Sequence, residues 1–136
     1  MNGALAAPAE SVSTLVARNI SEFRAAVSES FVPLQVSTAG PDHFRGIIRG
    51  ASVDEVHVNE VRATSHVVER TPELIARSDR SYFKLSLMLA GTGMLIQDDR
   101  EAVLQAGDLA VYDTDRPYSW SSTTTSARWS SCSRSI

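Results

Sequence analysis

The chain has 136 residues and a mass of 14.7 kDa, which gives room for one domain and little else. Hydrophobic residues make up 43% and charged residues 21%, a globular balance that excludes a disordered or fibrous chain. The formal charge of −3 argues against a nucleic-acid-coating basic surface, and the single cysteine, Cys132, excludes a disulfide framework and a four-thiolate zinc site.

No run of apolar residues approaches the 18 or so needed to span a bilayer. The Ala-rich start, Met1 to Glu10, lacks the basic region and long apolar core of a secretory signal. The expected compartment is the cytoplasm. Twelve of the thirteen basic residues are arginine, a bias common in GC-rich genomes.

Residues 1–18 are small and polar, include Pro8, and read as a flexible arm. Asn19 followed by Glu22 has the spacing of a capping box. Ile20, Phe23, Val27 and Phe31 then recur at intervals of three and four, which predicts an amphipathic helix over about residues 20–31. Pro33 ends it, because the residue before a proline is pushed out of the α region.

The period then changes to two. Strands are expected at Phe44–Arg49, Glu55–Arg62 and His66–Arg70. Pro72 opens a short helical turn ending near Arg77. The clearest strand is Tyr82–Ala90. Phe83, Leu85, Leu87 and Leu89 share one face, and Tyr82, Lys84, Ser86 and Met88 the other. The sequence does not settle which face looks inward. Gly91-Thr-Gly93 turns into Met94–Gln97, Asp98-Asp99-Arg100 forms a hairpin tip before Glu101–Leu104, and Gly107-Asp108 turns into Leu109–Tyr112. At least seven short strands separated by glycine and aspartate turns predict an all-β sandwich or small barrel with a short N-terminal helix.

The last segment differs. Eleven of the eighteen residues from Ser119 to Ile136 are Ser or Thr, and the strand expected to close the sheet fades into Ser121-Ser-Thr-Thr-Thr125. The expectation is a Ser/Thr-rich polar tail over 119–136. GC-rich codons for Ser122–Ile136 also allow a shifted frame reading Asp-Asp-Asp-Phe-Gly-Ala-Leu-Val-Leu-Met-Phe-Pro-Leu-Asp. That frame contains a strand, so a frameshift is a second expectation for this segment.

Several blocks together resemble a known family. They are "SEFRAAVSESFVPL" at Ser21–Leu34, "FRGIIRGASVDEVHVNEVRA" at Phe44–Ala63, "HVVERTPELI" at His66–Ile75, and "YFKLSLMLAGTGMLIQDDREAVLQAGDLAVYDTDRPY" at Tyr82–Tyr118. The match resembles the N-terminal domain of AraC/XylS-type transcription regulators and covers about residues 20–118. The resemblance implies a cupin-like β-barrel that binds an effector or dimerises, occupying residues 19–118. In that family a pair of helix-turn-helix units follows and grips DNA. The chain stops before that region, so no direct DNA binding is expected of it. The shifted frame also resembles the family's next strand.

Three histidines, His43, His57 and His66, invite a metal reading. Metal sites of this barrel class need paired histidines at one-residue spacing and a downstream carboxylate. No His-x-His occurs, so neither a metal nor another cofactor is expected. No nucleophile elbow and no Gly-rich strand-to-helix loop is present, and no catalysis is expected. The better candidate is a ligand pocket lined by inward side chains. Arg62, Arg70, Lys84 and Arg116 lie on or beside strands, and a buried cation there would need a partner such as a ligand carboxylate. For Arg116 the rival is an internal pair with Asp113 across the turn. The expected partners are a small-molecule effector and a second copy of the chain, with no membrane. The function expected is a regulatory domain acting on transcription when joined to a DNA-binding half. The alternatives are a small stand-alone cupin-type enzyme and a non-functional fragment.

Overall fold

The computed structural model describes residues 12–122 and 126–135. Among these residues eleven strands form two antiparallel sheets. The first sheet contains β1 (Ser13–Ala17), β3 (Gly46–Val53), β4 (Val56–Thr64), β6 (Tyr82–Ala90), β9 (Leu109–Asp113) and β11 (Ser126–Ser135). Its spatial order is β1-β3-β4-β11-β6-β9. The second contains β2 (Gln35–Ser37), β5 (Val67–Arg70), β7 (Gly93–Gln97), β8 (Arg100–Leu104) and β10 (Tyr118–Ser122), in the order β2-β5-β10-β7-β8. The two inner faces enclose one core, as expected of an all-β chain with a short helix.

Helix α1 spans Ile20–Ser30. The Asn19 side chain accepts the Glu22 N–H at 2.9 Å, so the N-cap forms as its spacing predicts. The Glu22 carboxylate accepts from the Arg18 N–H at 3.0 Å, one residue before the usual capping-box partner. Phe23 and Val27 point into the core, and Phe31 and Val32 follow them there. At the far end no basic residue of the helix meets its last carbonyls. Arg80 supplies that charge, donating to Ser28 O at 3.1 Å and Glu29 O at 3.4 Å. A second helix, α2, spans Pro72–Arg77 and is capped by Thr71 Oγ1.

The hairpin tip between β7 and β8 has Asp98 and Asp99 both at positive φ, 55° and 62°. This is the two-residue turn whose twist suits a hairpin. Gly46 allows a close approach instead: a Cβ there would lie 2.6 Å from the Phe23 ring.

The largest departure from the sequence expectation is the C-terminal segment. In place of a polar tail, Tyr118–Ser122 pairs with β5 and β7, and Ser126–Ser135 runs between β4 and β6. A boundary at residue 118 therefore falls inside the sheets. The physical reason is alternation with small residues: Ala127, Trp129, Ser131 and Ser133 are buried, while Arg128, Ser130, Cys132 and Arg134 alternate with them on the outer side. Ladders on both sides satisfy the backbone of β11 whatever its own strand preference. At the other end, Ser13–Ala17 forms β1 where a loose arm was expected, and the arm's residues 1–11 lie outside the described residues.

Candidate functional site

Strand β6 is turned against its own hydrophobic pattern. Lys84, Ser86 and Met88 are buried, whereas Phe83 is 54% and Leu85 41% exposed. The cross-strand registers of the first sheet carry this inversion into rows. One inward row is Ile48–Val61–Trp129–Met88, entirely apolar. The next is Gly50–Asn59–Ser131–Ser86–Ala110, and the last is Ser52–His57–Ser133–Lys84–Tyr112. The inner face thus grades from apolar to polar along the barrel. On the outside, Val58, Cys132, Leu85 and Val111 form one cross-strand row.

Lys84 lies at the centre of the polar end. Its Nζ sits 3.9 Å from the centre of the Phe31 ring and 5.5 Å from that of Tyr112. Burial, with the nearby Arg70 charge, lowers its pKa from 10.5 to about 7. Arg70 enters from the opposite sheet and is 1% exposed. Its Nε donates to Thr114 O and its Nη1 to Pro33 O, both at 3.0 Å. Its Nη2 is buried without a partner, as is the hydroxyl of Tyr118, which pairs with Arg70 across β10 and β5. The Tyr112 and Tyr118 rings meet edge to face at 4.9 Å. Burial pushes the Tyr112 hydroxyl up to about 12, against the opposing effect of its Ser86 contact, and burial pushes Tyr118 up as well.

Among the described residues the buried polar side chains include two cations and no carboxylate. Beside Lys84 lies a void of about 20 Å³, lined by Phe23, Phe31, Lys84, Tyr118, Trp120 and Trp129 among others, with Arg70 outside its lining. That is room for about one water. The wall on one side is the apolar face of α1.

The four cations marked in the sequence separate into two groups. Arg70 and Lys84 are both buried inside the barrel, near enough for the Arg70 charge to act on Lys84. Arg62 is exposed on the outer side of β4, since Val61 and Ala63 take the inward positions. Arg116 is also exposed and forms ion pairs with Asp98 at 2.6 Å and Asp113 at 3.3 Å. The sequence reading missed Tyr112, Tyr118, Trp120, Trp129, Ser131 and Ser133. For Tyr118 and Trp120 the alternation of β10 was a usable signal. Ser131 and Ser133 became inward residues only once their segment was seen to be a strand.

The three histidines stand apart, and among the described residues no group of three or more His, Cys, Asp or Glu stands together. His43 is exposed in a 3-10 turn, and His57 Nδ1 bonds Ser52 Oγ at 2.7 Å. His66 is a core residue packed among Phe23, Phe44 and Trp129. Burial holds it below the usual histidine range, partly offset by its bond to Thr64 O.

Comparison with known proteins places this geometry. The structure is similar to that of the AraC-like transcriptional activator CuxR, with a TM-score of 0.75 at 16% identity, over 90% of this chain and 47% of that one. It is also similar to a cupin superfamily protein from Desulfitobacterium hafniense, with a TM-score of 0.52 at 14% identity, over 65% of this chain and 76% of that one. These likenesses show a cupin-like fold. In sequence, the chain is 39% identical over 98 residues to an uncharacterized protein in the nit 5′ region of Bacillus sp. strain OxB-1. The match covers 72% of this chain and 38% of that relative, so the chain spans well under half of its length. Residues 23–130, which end within β11, match the family described as the AraC-binding-like domain. The chain therefore belongs to the AraC-binding-like domain family.

Proposed function

We propose that the chain is the small-molecule-sensing domain of an AraC-type transcription regulator, with its ligand inside the barrel. The observation that carries this reading is the pair of buried cations, Lys84 and Arg70, with no buried carboxylate among the described residues. A core kept for stability alone would place apolar residues there or pair the charges. The regulatory role follows the family and the likeness to CuxR. Catalysis is not part of the reading, nor is direct DNA contact by this chain, whose formal charge is −3. We place it in the cytoplasm, and no helix among the described residues is long and apolar enough to cross a membrane.

A second copy of the chain belongs to the same reading. Leu109 and Val111 are exposed on β9, whose outer edge pairs with no strand among the described residues, and Val111 continues into the apolar row of Leu85, Cys132 and Val58. A two-fold contact there would cover edge and face together. The test of the sensor reading is thermal unfolding of the chain against neutral and charged small molecules. A saturable rise in Tm with altered Trp fluorescence supports it. A panel of both kinds that moves neither signal, or catalytic turnover of a bound compound, overturns it.

A further inference from the structure

The chain has one lysine, and it is inside. An ammonium in a protein interior is ordinarily paired, because its desolvation is otherwise uncompensated. Lys84 has aromatic faces instead, those of Phe31 and Tyr112. Ser133 flanks it on β11. Arg70, buried on the opposite sheet with Nη2 unbonded, is near enough for its charge to act on Lys84, and its cross-strand neighbour Tyr118 lines the void beside Lys84 with its hydroxyl unbonded. Among the described residues an ammonium without an anion and a hydroxyl without an acceptor thus line one small space, with the unbonded Arg70 Nη2 belonging to the cross-strand neighbour of that hydroxyl. Beyond them the void is walled by aromatic rings, Trp120 and Trp129 lying 5.4 Å apart.

Given that the ligand site lies in the barrel, we propose that it takes a small carboxylate with an aromatic or alkyl body. The carboxylate is held between Lys84 Nζ, Arg70 Nη2 and the Tyr118 hydroxyl, and the body lies against Trp120 and Trp129. Each part of such a ligand meets a group of the interior that otherwise lacks its complement. A neutral polyol would satisfy the donors but leave the Lys84 ammonium, when protonated, without an anion; Asp115 already acts on the Arg70 charge.

The void of about 20 Å³ is too small for this ligand, so binding moves a wall. That wall is α1 and the residue after it, because Phe31 covers the ammonium the carboxylate must reach. The carboxylate takes the place of the Phe31 ring on Lys84, and the C-terminal end of α1 shifts. Arg80 holds that end through two carbonyls. A cleft of about 320 Å³ already opens beside it, lined by Glu29, Ser30, His57, Asn59 and Arg80 among others. This end of the barrel is therefore the access side.

The experiment uses the chain with its lysine labelled with carbon-13 at the ε position, which gives one side-chain signal. Benzoate and hexanoate are the anionic probes, and benzamide is the neutral match. Near pH 8 the Lys84 ammonium is mostly deprotonated. Carboxylate binding should move the signal toward the protonated position and raise its titration midpoint. Lys84→Met should weaken benzoate by roughly tenfold or more and leave benzamide unchanged. Equal binding of benzamide and benzoate by Trp fluorescence, with no change in lysine protonation, overturns the anion assignment while leaving an interior ligand intact. If neither carboxylate moves the Lys84 signal, the assignment is also overturned. The wild-type titration needs no variant, so misfolding of Lys84→Met would not spare the proposal.

Discussion

Lys84 makes a quantitative prediction about stability. The drop of its pKa from 10.5 to about 7, at about 1.4 kcal/mol per pH unit, means that holding the ammonium inside costs about 5 kcal/mol. The sign comes from proton counting. Between pH 7 and 10.5 the unfolded chain keeps a proton on this lysine that the folded chain has released, so stability rises with pH. Below about pH 7 both states are protonated and the full cost applies. From pH 7 to pH 9 the group should therefore add about 2 kcal/mol to the free energy of unfolding. Other shifted groups act elsewhere. His66, held low by burial, loses its contribution as pH falls through its usual range. Tyr112 and Tyr118, both raised, cause loss only above about pH 10. Urea unfolding followed by Trp fluorescence at several pH values measures the effect. Lys84→Met should be more stable than wild type at pH 7 by a few kcal/mol and should lack the rise. A flat wild-type profile from pH 7 to 9, or the same rise in the variant, refutes the argument.

Three further outcomes rest on the packing. Ending the chain at Ser122 removes β11, splits the first sheet into β1-β3-β4 and β6-β9, and should abolish cooperative unfolding in urea. Gly46→Ala drives a methyl to within 2.6 Å of the Phe23 ring and should lower stability by about 1–3 kcal/mol in the same assay. Arg116→Ala breaks exposed pairs with Asp98 and Asp113. It should change stability by no more than about 1 kcal/mol and leave benzoate binding unaltered.

What could be read from the sequence divides along physical lines. Helix α1 was legible because its determinants are local: the Asn19 cap and the spacing of Phe23, Val27 and Phe31. Strand β6 was legible in extent, since Tyr82–Ala90 alternates without interruption. Its orientation was not, because alternation shows two faces and leaves the choice to the neighbours. For β11 even the element was hidden. Its ladders with β4 and β6 come from distant parts of the chain, and Ser131 and Ser133 carry no hydrophobic signal.

The two failures have one origin. Ser131 and Ser133 can be inward because they face Ser86 and Lys84 across the ladder, and Ser131 Oγ meets Ser86 Oγ at 3.3 Å. Polar neighbours on adjacent strands supply partners for each other, so the inner face of one sheet end turns polar as a unit. The outer face of the same strands turns apolar as a unit, through Val58, Cys132, Leu85 and Val111. A binary pattern assumes that inside means away from any polar partner and outside means water. This sheet breaks both halves of that assumption together, where local rules are expected to yield to function. If the inner face meets a ligand and the outer face a second copy, each side chain has the surroundings its chemistry calls for. In that case the inverted strand marks both surfaces at once.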